Sequence, residues 1–234
     1  MDKVIGIIPA RSGSKGLPRK NGRILIDKPL MAWTIAAALE SFVFDRVIVS
    51  TDDKEMADIA SRYGAECPVL RPCELALDDT PLTPVLQHVV TWLEYHKKYT
   101  PGIIVLLQPT SPLRRPEHIQ EAVRLLKEMK ADSVVSVCLA EHSPYWMKRL
   151  EETRVYPFLK NTTEYFRRQD LPPVYRLNGA VYVTRYDILM KQNRILGEDT
   201  RAIVMDAESS IDVDTPFDFK MAELLLKERS IEGA

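Results

Sequence analysis

A loop dense in cations and glycines follows the first apolar run of the chain, and its residue types suit phosphate binding. It reads Ala10-Arg11-Ser12-Gly13-Ser14-Lys15-Gly16-Leu17-Pro18-Arg19-Lys20-Asn21. Glycines let backbone N–H groups approach an anion, and serine hydroxyls add further donors. Arg11, Lys15 and Lys20 carry the charges that would neutralise a triphosphate. The simpler alternative is a solvated basic loop between a strand and a helix.

The spacing of this loop differs from that of the common phosphate-binding motifs. A P-loop has a longer spacer between its glycines and continues through Gly-Lys-Ser/Thr into a helix. Here Gly13 and Gly16 are closer together, and Pro18 prevents a helix from starting directly after them. The dinucleotide fingerprint has a third glycine and fewer charges. The loop therefore predicts an anion site of a different kind.

Two carboxylates stand near the end of the chain, in Ile211-Asp212-Val213-Asp214. On a strand, this spacing would place both side chains on one face. A pair of carboxylates facing the same way offers the hard oxygen ligands that suit Mg²⁺. The alternative is that Asp214 only caps the following helix and Asp212 is solvated. Beside a triphosphate loop, the metal interpretation is the stronger one.

Short apolar runs alternate with helical patterns, and this alternation predicts how these residues are brought together. Strands are predicted at 4–9, 46–50, 67–71, 103–107, 133–138, 179–184 and 202–205. Helices are predicted at 29–39, from a cap at Asp52 or Asp53 to Tyr63, at 83–98, at 116–129, and from a capping box at Thr215 to 229. Such a chain predicts an α/β fold with a doubly wound, mostly parallel sheet and helices on both faces. Ligands of such sheets bind beyond the carboxyl ends of the strands.

The alternation weakens over residues 141–173, which are rich in proline, arginine and aromatic side chains. We interpret this stretch as a small dimerisation and substrate arm inserted in one nucleotide-binding α/β domain. That domain would comprise residues 1–140 and 174–234.

Charge and cysteine usage limit the possible partners and compartment. The 234 residues include 32 Lys and Arg and 33 Asp and Glu, so no overall attraction to nucleic acid or a membrane surface is expected. Cys67, Cys73 and Cys138 are odd in number and lack metal-type spacing, which favours reduced thiols in a cytoplasmic protein. No apolar stretch approaches the roughly 20 residues of a membrane helix, and the N-terminus does not read as a signal peptide.

Residues 8–21 (IPARSGSKGLPRKN) resemble the signature loop of the acylneuraminate (sialic acid) cytidylyltransferases. Further segments similar to this family follow in the same order at 48–52 (IVSTD), 71–76 (RPCELA), 107–114 (LQPTSPLR), 178–182 (NGAVY) and 210–215 (SIDVDT). The resemblance covers nearly the whole chain and implies a homodimeric enzyme that uses CTP and a divalent metal, Mg²⁺.

The resemblance also implies roles for individual residues. Asp212 and Asp214 would hold the metal and, with Arg11, Lys15 and Lys20, form the catalytic set. Nucleotide contacts are expected from Ala10, Arg11, Ser14, Gly16, Lys20, Asn21, Arg71 and Thr83. Sugar contacts are expected from Gln108, Ser111, Lys148, Arg168 and Tyr182.

The predicted reaction is transfer of CMP from CTP to the anomeric hydroxyl of a nine-carbon acidic sugar, with release of pyrophosphate. The resembled enzymes have aromatic residues near the position of Arg194-Ile195-Leu196, where this chain has none. Legionaminic or pseudaminic acid is therefore at least as strong a candidate as sialic acid. The alternatives are the eight-carbon acid of lipopolysaccharide, a sugar-nucleotide-dependent glycosyltransferase, whose Asp-x-Asp would lie mid-chain, and a non-catalytic nucleotide-binding regulator.

Overall fold

A six-stranded sheet with helices on both faces forms the centre of the protein, in a computed structural model that describes residues 2–13, 16–159 and 167–232. The strands are β1 (Val4–Pro9), β2 (Ile24–Leu25), β3 (Lys28–Pro29), β4 (Arg46–Ser50), β5 (Ile103–Leu106), β6 (Ser133–Leu139), β7 (Lys148–Glu151), β8 (Arg154–Pro157), β9 (Tyr175–Arg185) and β10 (Thr200–Val204). The helices are α1 (Leu30–Glu40), α2 (Lys54–Arg62), α3 (Leu82–Lys97), α4 (Pro116–Met129), α5 (Tyr186–Met190) and α6 (Pro216–Glu232).

The strand order of the main sheet is β10-β6-β9-β5-β1-β4. All its strands run parallel except β9, which is antiparallel to both β5 and β6. The predicted doubly wound, mostly parallel sheet is therefore confirmed. The carboxyl ends of β1 and β5 lie side by side, which places the segments after Pro9 and Leu106 at the same edge.

Two apolar layers hold the helices against the sheet. Side chains of β5 alternate between them: Ile103 and Val105 pack with α1, α2 and α4, whereas Ile104 and Leu106 pack with α3 and α5. This alternation is the period of a strand that is buried on both faces. A third cluster joins α6 to the start of α1 and includes Val213. The core thus reaches the segment that carries the two terminal carboxylates.

The predicted strand over 67–71 is wrong. Only an isolated bridge between Ile48 and Glu66 pairs this region with the sheet. The chain then leaves the sheet, and the Arg71 side chain turns inward to donate to Ser50. The Arg71 N–H also donates to the Thr51 carbonyl at 2.7 Å, just past the end of β4, but Pro68 has no N–H with which to continue a ladder between Glu66 and Arg71.

Strand β9 begins earlier than predicted and contains an irregularity. Its register against β6 shifts between Val135 and Val137, opposite residues 178–181. Gly179 lies in this bulge with a φ of 77°, a conformation that favours glycine. The Asn178 side chain fills the gap in the pairing, because its Oδ1 accepts from Ser136 Oγ and from Ala180 N.

Strands β7 and β8 form an antiparallel hairpin outside the main sheet. Its side chains are exposed apart from that of Tyr156, which is half-buried. The interpretation of residues 141–173 as a dimerisation arm remains a prediction. Across the described ranges, no helix has the length and apolar character that crossing a membrane requires.

Candidate active site

A cleft of about 570 Å³ opens at the carboxyl ends of β1 and β5. Its walls come from four separate segments: the loop after β1, the loop between α2 and α3 together with the start of α3, the loop after β5, and the segment before α6. The lining residues are Pro9, Arg11, Gly16, Lys20, Asn21, Arg71, Leu75, Leu77, Asp78, Thr80, Leu82, Val85, Gln108, Pro109, Thr110, Asp214 and Thr215. Cationic and carboxylate side chains therefore share one apolar-walled cleft.

The glycine-rich loop is held from both ends. Asp52 accepts hydrogen bonds from Ser12 N at 2.9 Å and Ser12 Oγ at 2.6 Å, which ties the loop to the end of β4. Asn21 Nδ2 donates to the Arg11 carbonyl at 3.0 Å. Asn21 Oδ1 is buried, and among the described residues it has no hydrogen-bond donor. This oxygen therefore offers an unused acceptor at the wall of the cleft.

Arg71 is almost fully buried, with 6% of its surface exposed. Its guanidinium donates to Ser50 Oγ at 3.1 Å, to Ser50 O at 2.5 Å and to Leu75 O at 3.5 Å. Burial lowers the pKa of Arg71 to about 10, with Asp52 acting in the opposite direction and Arg11 adding to the decrease. The side chain remains charged at neutral pH and supplies a fixed positive charge at the cleft.

The two carboxylates follow a 3-10 turn at Glu208–Ser210 and lie outside the strands, so the one-face arrangement that a strand would give does not apply. Val213, between them, is fully buried, and its N–H donates to the Thr110 carbonyl at 2.8 Å. This single backbone bond anchors an extended segment against the loop after β5. Pro216 then begins α6 and has no N–H with which to continue pairing.

Asp212 and Asp214 have different surroundings. Asp212 Oδ1 is buried without a donor among the described residues. Burial raises the pKa of Asp212, and the neighbouring charge of Asp214 adds to this effect, whereas Thr110 and Lys20 oppose it. The Asp214 side chain is 70% exposed, and its Oδ1 lies 2.8 Å from Lys20 Nζ. The cationic loop and the carboxylate pair, remote in sequence, thus meet directly.

This pair fits a hard divalent cation. Asp212 Oδ1, which has no donor among the described residues, is an available oxygen, and Asp214, whose charge acts on Asp212, lines the cleft. Within the described part of the chain, no group of three or more His, Cys, Asp or Glu side chains is arranged to hold a metal ion. Mg²⁺ commonly takes only one or two protein carboxylates and completes its coordination with water and substrate phosphates.

Gln108, which lines the cleft, lies close to Gly179 and Asp212. A Cβ atom on Gly179 would lie 2.9 Å from Gln108 Oε1 and 3.9 Å from Asp212 Oδ2. The absence of a side chain at position 179 therefore allows the Gln108 amide to approach the β9 bulge. An amide and a carboxylate together can bind hydroxyl groups of a polar ligand.

The family model described as "Cytidylyltransferase" matches residues 5–230. The chain belongs to the cytidylyltransferase family. Its members are CTP-dependent nucleotidyltransferases, so this cytidylyltransferase is an enzyme, as the sequence predicted.

Curated relatives match along the whole chain. CMP-N,N'-diacetyllegionaminic acid synthase of Legionella pneumophila is 36% identical over 96% of this chain and 97% of its own length. The synthase of the same name from Campylobacter jejuni is 30% identical over 99% of this chain and 98% of its own length. N-acylneuraminate cytidylyltransferase of Escherichia coli is 38% identical over 94% of this chain, but the match spans only 51% of that longer protein.

Solved structures show the same fold at lower sequence identity. CMP-2-keto-3-deoxy-manno-octonic acid synthetase complexed with CTP superposes with a TM-score of 0.73 at 21% identity, covering 97% of this chain and 99% of that one. A 4-diphosphocytidyl-2C-methyl-D-erythritol synthase from Anaerococcus prevotii gives a TM-score of 0.68 at 14% identity, with the same coverage.

The cleft of the cytidylyltransferase collects most of the predicted nucleotide set. Arg11, Gly16, Lys20, Asn21 and Arg71 line it directly. Ala10 is buried beneath it, and its N–H donates to Ser50 O at 2.9 Å. Thr83 lies in the first turn of α3, next to the lining residue Leu82. Ser14 and Lys15 lie outside the described residues.

The predicted sugar set is more dispersed. Gln108 lines the cleft, whereas Ser111 is fully buried and its Oγ has no partner among the described residues. Tyr182 is half-buried on β9, and burial, followed by the charge of Asp212, raises its pKa. Lys148 is on the exposed strand β7. Arg168 begins a 3-10 turn, and its side chain lies outside the described part.

Sequence reasoning missed two charged residues of this region. Asp78 lines the cleft and its Oδ1 lies 2.6 Å from Arg11 Nη1. Arg114 is buried behind Gln108 and donates to its carbonyl oxygen at 3.1 Å. The Arg11–Asp78 contact joins segments that are distant in sequence, and the Arg114–Gln108 contact closes a turn of the chain on itself. Residue type and spacing therefore carried no signal for Asp78, whereas Arg114 ends the family-like segment 107–114, in which the resemblance assigned no role to this arginine.

Proposed function

We propose that this cytidylyltransferase transfers CMP from CTP to the anomeric hydroxyl of a nine-carbon acidic sugar of the sialic, legionaminic or pseudaminic acid type, releasing pyrophosphate. The observation that carries the proposal is the meeting of the glycine-rich loop with the carboxylate pair, at the 2.8 Å contact between Lys20 and Asp214. Two legionaminic acid synthases that match over nearly their whole lengths support the sugar class.

The nucleotide would lie across the ends of β1 and β5. Arg11 and Lys20 neutralise its phosphates, and Gly16 allows close approach of the loop backbone. The charge of Arg71 and the free acceptor of Asn21 face the same cleft and would orient the nucleoside. Ala10, Ser14, Lys15 and Thr83 complete the proposed contacts.

Asp212 and Asp214 would hold the divalent metal. When bound, Mg²⁺ stabilises negative charge on phosphoryl oxygens. The chain's own contribution is to aim two carboxylates at the phosphate loop and to keep one of their oxygens away from competing donors.

In the reaction, the anomeric oxygen of the sugar forms a bond to the α-phosphorus as the bond from that phosphorus to the pyrophosphate oxygen breaks. The hydroxyl proton leaves to solvent. Little covalent chemistry falls to the protein, so positioning and charge neutralisation dominate. Gln108, Ser111, Lys148, Arg168 and Tyr182 are the proposed sugar contacts.

The proposed enzyme is a cytoplasmic homodimer. Exposed apolar side chains on and beside the β7–β8 hairpin support a partner surface there, with Leu150 69%, Val155 63% and Phe158 60% exposed. All three cysteines are free, which supports a reducing compartment.

The proposal is tested by incubating the protein with CTP, Mg²⁺ and one acidic sugar at a time, and measuring pyrophosphate release and product mass. The panel contains sialic, legionaminic and pseudaminic acids, and the eight-carbon acid of lipopolysaccharide. We expect release with a nine-carbon acid and its loss on addition of EDTA. Turnover of the eight-carbon acid alone would replace the proposed sugar, and CTP binding without turnover of any sugar would refute the transfer reaction.

Replacing Lys20 by alanine should raise the KM for CTP by about 10- to 100-fold, the effect of losing one charge-assisted hydrogen bond. The KM for the sugar should change by less than about threefold, since the lysine meets the phosphate side of the cleft. Steady-state kinetics with each substrate varied in turn provide the measurement. Lys54→Ala, at an exposed position on α2, is the control. Equal effects on both substrates would contradict the phosphate assignment.

Replacing Asp78 by asparagine should strengthen CTP binding by about twofold to fivefold. The Arg11–Asp78 ion pair is partly exposed, and such pairs contribute about 0.2–1 kcal/mol. An incoming phosphate must compete with Asp78 for Arg11, so loss of the carboxylate removes that competition. Isothermal titration with CTP in the absence of sugar measures the change, with Asp79→Asn as the neighbouring control. Weaker binding by the Asp78 variant would show that the carboxylate instead helps to hold Arg11 in place.

A further inference from the structure

Arg114 is a buried cation behind the cleft. It lies in the turn between β5 and α4, with 3% of its surface exposed. Burial alone lowers its pKa to about 9, so the guanidinium is still protonated at neutral pH. No carboxylate of the described residues contributes to this value or forms an ion pair with it.

Its hydrogen bonds all go to uncharged acceptors on three different segments. Nη1 donates to Gln108 O at 3.1 Å and to Ala180 O at 2.7 Å, and Nη2 donates to Thr34 Oγ1 at 2.6 Å. Nε is buried and lacks an acceptor among the described residues. The planar fork thus joins the loop after β5, the bulge of β9 and helix α1.

Stability alone does not account for a guanidinium at this position. Placing an unpaired charge in the interior costs several kcal/mol, and an apolar side chain of similar volume is often neutral or stabilising by comparison. Two of the bonds of Arg114, however, go to the backbone on either side of a close approach beside the cleft, at Gln108 and Ala180. Gln108 and Gly179, which precedes Ala180, are the two residues that approach each other beside Asp212.

We propose that Arg114 is a positioning residue that fixes Gln108 against the Gly179 bulge and thereby orients the acidic sugar. The inference rests on the proposed function, in which Gln108 contacts the sugar. Arg114 does not bond to the nucleotide side of the cleft, where Asp52 and Ser50 hold the loop and Arg71. Its loss should therefore affect sugar use selectively.

The test compares Arg114→Met, Arg114→Lys and the control Arg115→Met. Arg115 is the next residue, but its side chain is 53% exposed and pairs with Asp206 at 2.8 Å. We expect the KM for the sugar to rise, and kcat/KM for the sugar to fall, by about 10- to 100-fold in both Arg114 variants, because lysine keeps the charge but lacks the planar fork. The KM for CTP should stay within about threefold of wild type, and Arg115→Met should match wild type.

Thr34→Val provides a milder variant in case the Arg114 variants do not fold. It removes one acceptor of the fork and also the 3.4 Å bond that Thr34 Oγ1 donates to Gln108 O, while keeping the shape of the side chain. We expect about a threefold to tenfold loss of kcat/KM for the sugar. Hydrogen exchange followed by mass spectrometry adds a readout independent of activity. Peptides covering 107–113 and 178–182 should exchange faster in the variants, whereas the peptide covering 46–52 should not.

Unchanged sugar kinetics in a folded Arg114 variant would overturn the inference. A uniform loss of activity with both KM values unchanged and a lowered Tm would also overturn it, since that is the result of a purely structural role. Failure of the proposed function is distinguishable, because the wild-type protein would then transfer CMP to no sugar in the panel. In that case faster exchange confined to the two peptides would still support the positioning role, and unchanged exchange would reject it.

Discussion

Asp214→Ala is expected to reduce turnover by about a thousandfold or more while the protein stays folded. Loss of a metal ligand removes several kcal/mol of charge stabilisation, and about 4 kcal/mol corresponds to three orders of magnitude in rate. The effect on stability should be small, because the side chain is 70% exposed and pairs with Lys20 at the surface of the cleft. Initial rates of pyrophosphate release at saturating CTP and Mg²⁺, together with Tm, provide the measurement.

Asp58→Asn serves as the control for this prediction, since it removes one exposed carboxylate from α2 and should leave the rate within about twofold. Asp212→Asn should match the loss seen for Asp214→Ala, because the two side chains act as one ligand pair. A rate for Asp214→Ala within tenfold of wild type would refute the assignment of this pair to the metal.

Gly16→Ala is expected to lower kcat/KM for CTP by about 100-fold, whereas Gly13→Ala in the same loop should change it by less than about threefold. A Cβ on Gly16 would clash with the Asp214 carbonyl oxygen, whereas a Cβ on Gly13 would meet none of the described residues within 4 Å. The Asp214 segment is anchored by the Val213–Thr110 bond and by the cap of α6, so the loop is the part that must move. Its displacement would separate the phosphate site from the metal ligands.

Steady-state kinetics and CTP titration of the two glycine variants distinguish a close contact between Gly16 and Asp214 from a general need for a flexible loop. Both substitutions reduce backbone freedom similarly, so a general requirement for a mobile loop predicts similar losses. Only a close approach of Gly16 to Asp214 predicts a large difference between them. Nearly equal kinetics would therefore reject the contact as a feature of the working enzyme.

The elements that the sequence predicted best are those determined by local chemistry. The bounds of β1, β4 and α4 were predicted without error, since continuous apolar runs are typical of strands buried on both faces and Pro116 suits the first turn of a helix. The reciprocal hydrogen bonds between Thr215 and Asp218 confirm the predicted capping box of α6.

The errors arose where long-range contacts decide the local structure. The apolar residues of 67–71 favour a strand, but Pro68 interrupts the pairing, and Arg71 is held at the end of β4 by bonds to Ser50 and Thr51. The segment at Asp212 and Asp214 is extended, as its spacing suggested, yet it has one backbone bond to Thr110 in place of a strand partner.

The sequence predicted which residues belong to the candidate site but not which of their side chains contact one another. The cations of the glycine-rich loop and the terminal carboxylates were identified from their chemistry, whereas the ion pair of Arg11 with Asp78 depends on how remote loops fold together. Arg114 is next to another arginine in the sequence and resembles a surface charge. Its burial results from tertiary packing, which spacing does not report.

The position of β9 has a consequence for how the chain assembles. Strands β4, β1 and β5 can pair once residue 106 is available, whereas β10, the partner of β6, follows β9 in the chain. In the sheet, β5 and β6 are both paired to β9, so each presents an open edge until β9 inserts antiparallel between them. Open edges invite pairing between chains, so the insertion of β9 is a step at which folding competes with aggregation.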